Sequence, residues 1–202
     1  MKICLNGRGG KVGRVLAPAL EAAGHELVEL DRAEAMVDFT GPEAAPENVR
    51  AALEAGIPCV VGTTGWDAEP LGELARERGV ALFVAPNFAL GAVLMMRLAE
   101  EAARHFPKTE IIELHEEGKK DAPSGTARAT AARLPGDPPI HSVRLPGLVS
   151  SQEVLLAGEG ELLTIRHDAW SREAYSAGVL MALERLRTLP PGLTAGLDSL
   201  LE

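Results

Sequence analysis

Short apolar runs alternate with amphipathic segments along the first half of the chain. Five runs have the aliphatic composition of buried strands, at residues 2–5, 26–30, 36–40, 58–61 and 80–84. Helical periodicity separates most of these runs, at residues 15–23, 46–55 and 68–78. Strands that alternate with helices are typical of a parallel sheet, so this half predicts an α/β, Rossmann-like unit.

The connection before the third strand is unusually short. Only residues 33–35 separate Arg32 from the strand that begins at Met36. A helical crossover between parallel strands needs about a dozen residues or more. We therefore expect a simple turn here, which changes the position or the direction of the third strand.

The pattern changes from about Leu90 onward. Helices are expected at residues 91–105 and 127–134, and strands near residues 110–114, 140–145, 152–157 and 161–167. This part is expected to be an α+β unit with an open mixed sheet. Consecutive strands without intervening helices favour an open antiparallel arrangement, and the exposed face of the sheet is available for oligomerisation. A last helix at residues 172–187 is expected to pack on the first unit. For the tail from Pro190, helical packing is the only expectation.

A glycine-rich turn follows the first strand. Four glycines lie within Gly7–Gly13, between that strand and the first helix, where such glycines bind a dinucleotide pyrophosphate. Asp31 follows the second strand, close to the separation of about 20 residues expected for the acid that binds the adenosine ribose. Arg32 could accept a 2′-phosphate instead, so the choice between NAD and NADP stays open.

The greatest concentration of reactive side chains lies in His115–Thr126. His115 follows a β-prone run, and strand ends are where α/β proteins place their chemistry. Lys119 and Lys120 add positive charge, and the turn at Ser124–Thr126 begins a helix whose N–H groups could bind a carboxylate. A proton donor beside an anion site suits the reduction of an acidic substrate. A loop so rich in Glu, Lys and Asp is also compatible with a solvated surface.

Composition limits the function classes. The 202 residues carry a formal net charge of −9, which argues against nucleic acid or an anionic membrane as the main partner. Cys4 and Cys59 lie in apolar runs without metal-ligand spacing, so we expect buried thiols and no metal. Neither a signal peptide nor an apolar run of about 20 residues is recognisable. We therefore expect a cytoplasmic protein with a small acidic substrate.

Seven motifs follow one another along the chain. They are Gly7-x-x-Gly10-x-x-Gly13-Arg14, Val37-Asp38-Phe39-Thr40, Gly62-Thr63-Thr64-Gly65, Ala85-Pro86-Asn87-Phe88, Lys119-x-Asp121-Ala122-Pro123-Ser124-Gly125-Thr126, His141-Ser142-Val143-Arg144 and Gly158-Glu159-Gly160-Glu161. Each motif alone is weak. Together and in this order they resemble the 4-hydroxy-tetrahydrodipicolinate reductase family, also called dihydrodipicolinate reductase, of lysine and diaminopimelate biosynthesis.

The resemblance implies two domains and a reaction. A dinucleotide-binding domain is expected from both ends of the chain, residues 1–89 and 173–202, and a domain for substrate binding and homotetramer formation from residues 90–172. NADH or NADPH is the implied hydride donor. The implied substrate is a small cyclic dicarboxylate, 4-hydroxy-tetrahydrodipicolinate, which becomes tetrahydrodipicolinate with loss of water.

The resemblance also implies residue roles. His115 matches the proton donor and acceptor of the family, and Lys119 matches the proton donor. The implied substrate-binding residues are Glu116, Lys119, Ser124, Gly125 and Thr126. The implied cofactor-binding residues are Gly7, Arg8, Gly9, Gly10, Lys11, Val12, Asp31, Arg32, Gly62, Thr63, Thr64, Ala85, Pro86, Asn87 and Phe88.

One residue departs from the family pattern, and two other functions compete with this interpretation. Glu116 replaces a second histidine that contacts substrate; it would repel a dianion unless it turns away or is neutralised, and Lys120 is the candidate to compensate. A nucleotide-sensing module without catalysis would need the glycine turn and Asp31 but not His115. A dehydrogenase of the aspartate or homoserine type would share the cofactor motifs but not the loop at residues 121–126.

Overall fold

The computed structural model describes residues 1–201, which form two compact units. The first unit consists of Met1–Phe88 and the segment from Arg172 onward, and the second unit is Ala89–Ser171. The expected division of the chain assigns a function to each unit as well as its boundaries. That functional assignment stays a prediction.

The secondary structure comprises both strands and helices in each unit. The strands are β1 (Lys2–Asn6), β2 (Glu26–Leu27), β3 (Ala35–Asp38), β4 (Cys59–Val61), β5 (Ala81–Val84), β6 (Lys108–His115), β7 (Ile140–Arg144), β8 (Ser150–Gly158), β9 (Glu161–Ala169) and β10 (Gly192–Ala195). The helices are α1 (Gly13–Ala22), α2 (Ala45–Glu54), α3 (Glu69–Arg78), α4 (Leu90–Ala103), α5 (Gly125–Ala131) and α6 (Ser176–Arg185).

A parallel sheet with the strand order β10-β5-β4-β3-β1-β2 forms the first unit. Its inner strands read as continuous apolar runs because both faces of the sheet are covered, and every residue of Cys59–Val61 is buried. The expected α/β class with a Rossmann-like parallel sheet is confirmed. The carboxyl ends of β1, β4 and β5 lie at one edge, where such sheets bind ligands.

The short connection between β2 and β3 has a simple geometric explanation. Ile3 of β1 pairs with Leu27 of β2 on one side and with Ala35 of β3 on the other. Because β2 has only two residues, a 3-10 turn at Leu30–Arg32 is enough to bring the chain across. The direction is kept and the position changes. The expected strand at residues 26–30 was therefore too long, and Asp31 lies in the turn.

The tail corrects a second expectation. Residues 192–195 form β10, which pairs in parallel with β5, so helical packing was wrong for this segment. A strand of four residues that begins with Gly192 and is followed by Gly196 is too short to show a period in the sequence. Tertiary packing determines the strand instead. β10 packs so closely against α3 that a Cβ atom added to Gly72 would lie only 2.8 Å from the Cβ atom of Leu193.

The second unit is built on a mixed sheet with the order β7-β6-β8-β9. β6 and β7 are parallel, and the other two pairs are antiparallel. The helices α4 and α5 contribute to a core that includes Ala99, Ile111 and Val154. β9 exposes Leu162 and Leu163 to 62% and 38%, respectively. Among residues 1–201, no helix combines the length and the apolar character that crossing a membrane requires.

Phe39 connects three loops at the carboxyl edge of the first sheet. A side chain on Gly7 would collide with the Phe39 carbonyl, and Gly7 also has φ +81°, which favours glycine. A side chain on Gly62 would collide with the Phe39 ring. The same ring packs against Phe88, with a centroid distance of 5.4 Å. Glycine at 7 and 62 is therefore required by close packing around one aromatic residue.

We expect the substitution Gly62→Ala to lower the free energy of unfolding by about 1–3 kcal/mol, because the added methyl group overpacks the site beside Phe39. Gly41→Ala is the matched control, since a Cβ atom there meets open space among the described residues, and we expect a change within about 0.5 kcal/mol. Urea denaturation of both variants measures this difference. Equal stability of the two variants would contradict the packing argument.

Candidate active site

Asp38 organises the loops next to Phe39. Its side chain is fully buried at the end of β3. The carboxylate accepts hydrogen bonds from the backbone N–H and the hydroxyl of Thr40, at 3.0 and 2.7 Å, and from Asn48 Nδ2 at 2.8 Å. It also accepts from the hydroxyl of Thr63 at 2.7 Å. Thr63 belongs to a predicted cofactor loop, so Asp38 holds that loop at the sheet edge.

The glycine turn has the geometry of an anion site. Gly10 N–H donates to the Gly7 carbonyl at 2.8 Å, which closes the turn. A side chain on Gly9 would point into open space among the described residues, so this position leaves room for a ligand. Within residues 1–201 no side chain caps the start of α1, but the N–H groups of Arg14 and Val15 already donate to the carbonyls of Gly10 and Val12. The glycine turn before the helix is therefore the part that suits a phosphate. The residues present thus fit a dinucleotide pyrophosphate.

The other predicted cofactor residues differ in their exposure. Asp31 is exposed, and Arg32 is exposed beside Glu26, with Nη2 3.5 Å from Oε1. Thr64 and Pro86 are exposed, whereas Ala85 and Phe88 are buried. Arg8 pairs with Glu21 at 3.5 Å. The exposed residues of this set can therefore contact a ligand directly with their side chains, whereas the buried ones cannot.

Glu113 is the buried charge of the second unit. It is fully buried, and Arg144 donates to its two carboxylate oxygens from Nη2 at 2.7 Å and from Nη1 at 3.1 Å. Burial alone would raise the pKa of Glu113, but hydrogen bonds from Arg144, Ser142 and His115 hold that pKa below its usual value. Glu113 is therefore an anion at neutral pH.

His115 lies between two partners, Glu113 of its own strand and Ser150 of the neighbouring strand β8. Its Nδ1 contacts Oε2 of Glu113, and its Nε2 lies 3.0 Å from the hydroxyl oxygen of Ser150. Burial lowers the pKa of His115, Glu113 opposes that shift, and the positive charges of Lys119 and Arg144 add to it. The net direction is down from 6.5, so His115 is mainly neutral at pH 7.

Arg144 also fixes the loop that follows His115. Its Nη2 donates to the carbonyl of Asp121 at 2.7 Å, and Lys119 Nζ donates to Oδ1 of Asp121 at 2.7 Å. The bond from Lys119 lowers the pKa of Asp121. The structure therefore brings His115 and Lys119, both predicted from the sequence, into one electrostatic cluster.

The end of this loop begins α5. Ser124 is 2% exposed, and its hydroxyl caps the helix by accepting from Ala127 N–H at 3.1 Å. Gly125 is exposed, and a side chain there would meet open space among the described residues. The cap uses the Ser124 hydroxyl, so the backbone of Gly125 and Thr126 is the part of the turn that suits a carboxylate.

Glu116 and Lys120 lie at the rim of this cluster. Glu116 is half-buried, and its carbonyl accepts from Lys119 N–H at 3.0 Å, which forms the turn after β6. Lys120 is exposed. Outside the cluster, His141 pairs with Glu110 at 2.8 Å on the exposed part of the sheet.

Sequence reasoning missed three residues of this site, namely Glu113, Arg144 and Ser150. Glu113 precedes His115 by two positions in a strand, so both side chains lie on one face. That period was visible in the sequence. The contributions of Arg144 and Ser150 depend on strand register, since His115 pairs with Arg144 of β7 and with Ser150 of β8.

Known proteins resemble the chain over both units. The family model described as dihydrodipicolinate reductase, C-terminus, matches residues 91–201, and the N-terminus model matches residues 28–88. A 4-hydroxy-tetrahydrodipicolinate reductase of Moorella thermoacetica is 50% identical over 198 residues, covering 85% of this chain and 74% of the relative. One from Beutenbergia cavernae is 40% identical, covering 100% of this chain and 99% of the relative. A solved structure, the dipicolinate-bound dihydrodipicolinate reductase from Paenisporosarcina sp. TG-14, has a TM-score of 0.84, 30% identity and 98% coverage of both chains.

We expect His115 to make stability depend on pH. The folded protein holds His115 neutral, so the unfolded state binds a proton more readily and stability falls as pH drops below about 6.5. His115→Gln should remove this part of the dependence between about pH 8 and about pH 5. His25 and His167 also have lowered pKa values, and their contribution to the pH dependence of stability is the same in the wild type and in His115→Gln. Denaturant titrations across this range measure the free energy of unfolding at each pH. If the wild type and His115→Gln showed the same dependence of that free energy on pH, the assignment to His115 would be contradicted.

Proposed function

Because the chain belongs to the dihydrodipicolinate reductase family, we propose residue roles for the reaction of that family. The protein is an oxidoreductase that reduces 4-hydroxy-tetrahydrodipicolinate to tetrahydrodipicolinate, with loss of water, in lysine and diaminopimelate biosynthesis. It uses a nicotinamide cofactor. The observation that carries the proposed roles is the cluster of His115, Lys119 and the open turn at Gly125.

Lys119 and His115 divide the proton chemistry in this proposal. The reduced nicotinamide supplies the hydride when it is bound, and the substrate ring then needs a proton. Lys119 is the cationic donor, oriented by its hydrogen bond to Asp121. His115 is neutral and accepts or returns a proton, with its ring held by Glu113. The two residues therefore begin the reaction in different charge states.

Gly125 and Thr126 are the proposed carboxylate site. Their N–H groups lie at the start of α5, and a carboxylate can approach because Gly125 has no side chain. Ser124 contributes by capping the helix. Dipicolinate, the molecule in the similar Paenisporosarcina structure, is a ring with two carboxylates, which supports a site of this charge preference. Lys120 offsets the negative charge of Glu116 at the rim.

We propose that NADH and NADPH are both accepted. Residues 7–12 bind the pyrophosphate, and residues 62–64 and 85–88 bind near the nicotinamide. Asp31 accepts hydrogen bonds from the ribose hydroxyls of NADH, and Arg32 attracts the 2′-phosphate of NADPH. Both side chains are exposed on the same 3-10 turn, which supports access to either cofactor.

We also propose an assembly and a location. The exposed leucines of β9 are the surface through which copies of the chain form a homotetramer. The two free, buried cysteines support a reducing compartment, and we propose the cytoplasm.

We expect Lys119→Ala to lower kcat by about 100-fold or more, because it removes the proposed proton donor. Lys120→Ala is the comparison on the same loop, and we expect it to raise the substrate KM while kcat changes little. Steady-state rates measured by nicotinamide absorbance test both variants. Normal turnover in Lys119→Ala would overturn the assignment of the donor, and an unchanged KM in Lys120→Ala would remove the role given to Lys120.

We expect Asp31→Ala to raise the KM for NADH about tenfold, since a loss of roughly 1.4 kcal/mol of binding corresponds to a factor of ten. The KM for NADPH should change less. Arg32→Ala should have the opposite preference, because it removes the charge that attracts the 2′-phosphate. Each variant assayed with both cofactors is its own control, and equal effects on the two KM values would contradict the proposed contacts.

A further inference from the structure

Both ring nitrogens of His115 are occupied inside the protein. Glu113 is an anion and therefore only accepts hydrogen bonds, so Nδ1 of His115 must carry a proton and donate it. In the neutral ring Nε2 is then unprotonated. The Ser150 hydroxyl, 3.0 Å away, donates to it. The exchangeable position of His115 thus faces a serine.

The Ser150 hydroxyl is also the more exposed partner. His115 is 9% exposed and Glu113 is fully buried, whereas Ser150 is half-buried. Ser150 lies directly opposite His115 on the antiparallel neighbour β8, so strand register fixes the pair. The next residue, Ser151, is buried and hydrogen-bonds to Asp168, and successive side chains in a strand point to opposite faces. Two adjacent serines therefore have different partners.

We propose that the Ser150 hydroxyl is a proton relay between Nε2 of His115 and the substrate or solvent. In the inward step the proton of the Ser150 hydroxyl moves to Nε2 of His115, while the Ser150 oxygen takes a proton from the substrate or from a solvent molecule. The serine is unchanged, and the imidazolium that forms is stabilised by Glu113. The outward step is the reverse. This role rests on the proposed function of His115 as a proton acceptor and donor.

The charged groups around His115 favour such a relay. Glu113 of the same strand stabilises the imidazolium, while Arg144 of β7 and Lys119 of the following loop destabilise it. The neighbouring strand β8 contributes the uncharged hydroxyl of Ser150. Burial and these two cations keep the resting ring neutral, while Glu113 stabilises the imidazolium, so the ring can take up a proton and release it again. Ser150 is thus a positioning and relay residue that acts through His115.

The test combines kinetics with a direct observation of the ring. We expect Ser150→Ala to lower kcat about tenfold, less than loss of His115 itself, because water can partly replace the hydroxyl. The acid limb of the kcat profile should move to higher pH, since the neutral ring loses its donor and its pKa rises. Ser150→Thr keeps a hydroxyl and should restore kcat to within about twofold of wild type. Ser151→Ala is the matched control with unchanged kcat.

Nitrogen-15 NMR of the histidine rings provides the readout that does not depend on activity. In the full-length protein above about pH 7.5, we expect His115 to be protonated at Nδ1 and not at Nε2, with the signal assigned by its absence in His115→Gln. A neutral ring protonated at Nε2, or a wild-type kcat and pH profile in Ser150→Ala, would overturn the relay. If His115→Gln also turned over normally, the proposed function of His115 would fail first, which separates the two outcomes.

Discussion

The buried ion pair between Glu113 and Arg144 is the constraint on which the proposed site depends. A carboxylate with no exposure needs an opposite charge or hydrogen-bond donors for its oxygens, and Glu113 has both. Arg144 meets that requirement and also donates to the carbonyl of Asp121, so one guanidinium joins β6, β7 and the loop that carries Lys119. Glu113 in turn determines which nitrogen of His115 carries the proton. The register of β6 with β7 therefore creates the ion pair, and the ion pair keeps Glu113 charged beside His115.

The first unit solves a related problem with neutral donors. Asp38 is as deeply buried as Glu113, but the four hydrogen bonds it accepts come from a backbone N–H, two hydroxyls and an amide. Thr40 and Thr63 belong to loops that leave different strands, and the single carboxylate holds both. Phe39, the adjacent residue, packs closely against Gly7 of the glycine turn and against Gly62 of the loop that contains Thr63. In each unit a buried carboxylate near a strand end helps to position the neighbouring loops, Asp38 directly and Glu113 through Arg144.

How far the sequence predicts this protein depends on whether a feature is local. Alternating strands and helices, the glycine turn and the cluster at His115 are contained in short windows, and all were recognised. The pair of Glu113 and Arg144 joins residues 31 positions apart, and only the register of β6 with β7 brings them together. The same holds for Ser150. β10 was missed because four residues carry no period, and its partner β5 lies more than a hundred residues earlier.

The position of β10 has a consequence for how the chain is made. β5 lies next to β4 on one side and β10 on the other, and β10 is synthesised more than a hundred residues after β5. Until then one edge of β5 keeps its backbone N–H and C=O groups unpaired, and open strand edges invite pairing with other chains. The second unit, by contrast, is synthesised as one uninterrupted segment. It can complete its own sheet while the first unit still lacks β10, so the order of synthesis favours the second unit as the first part to fold.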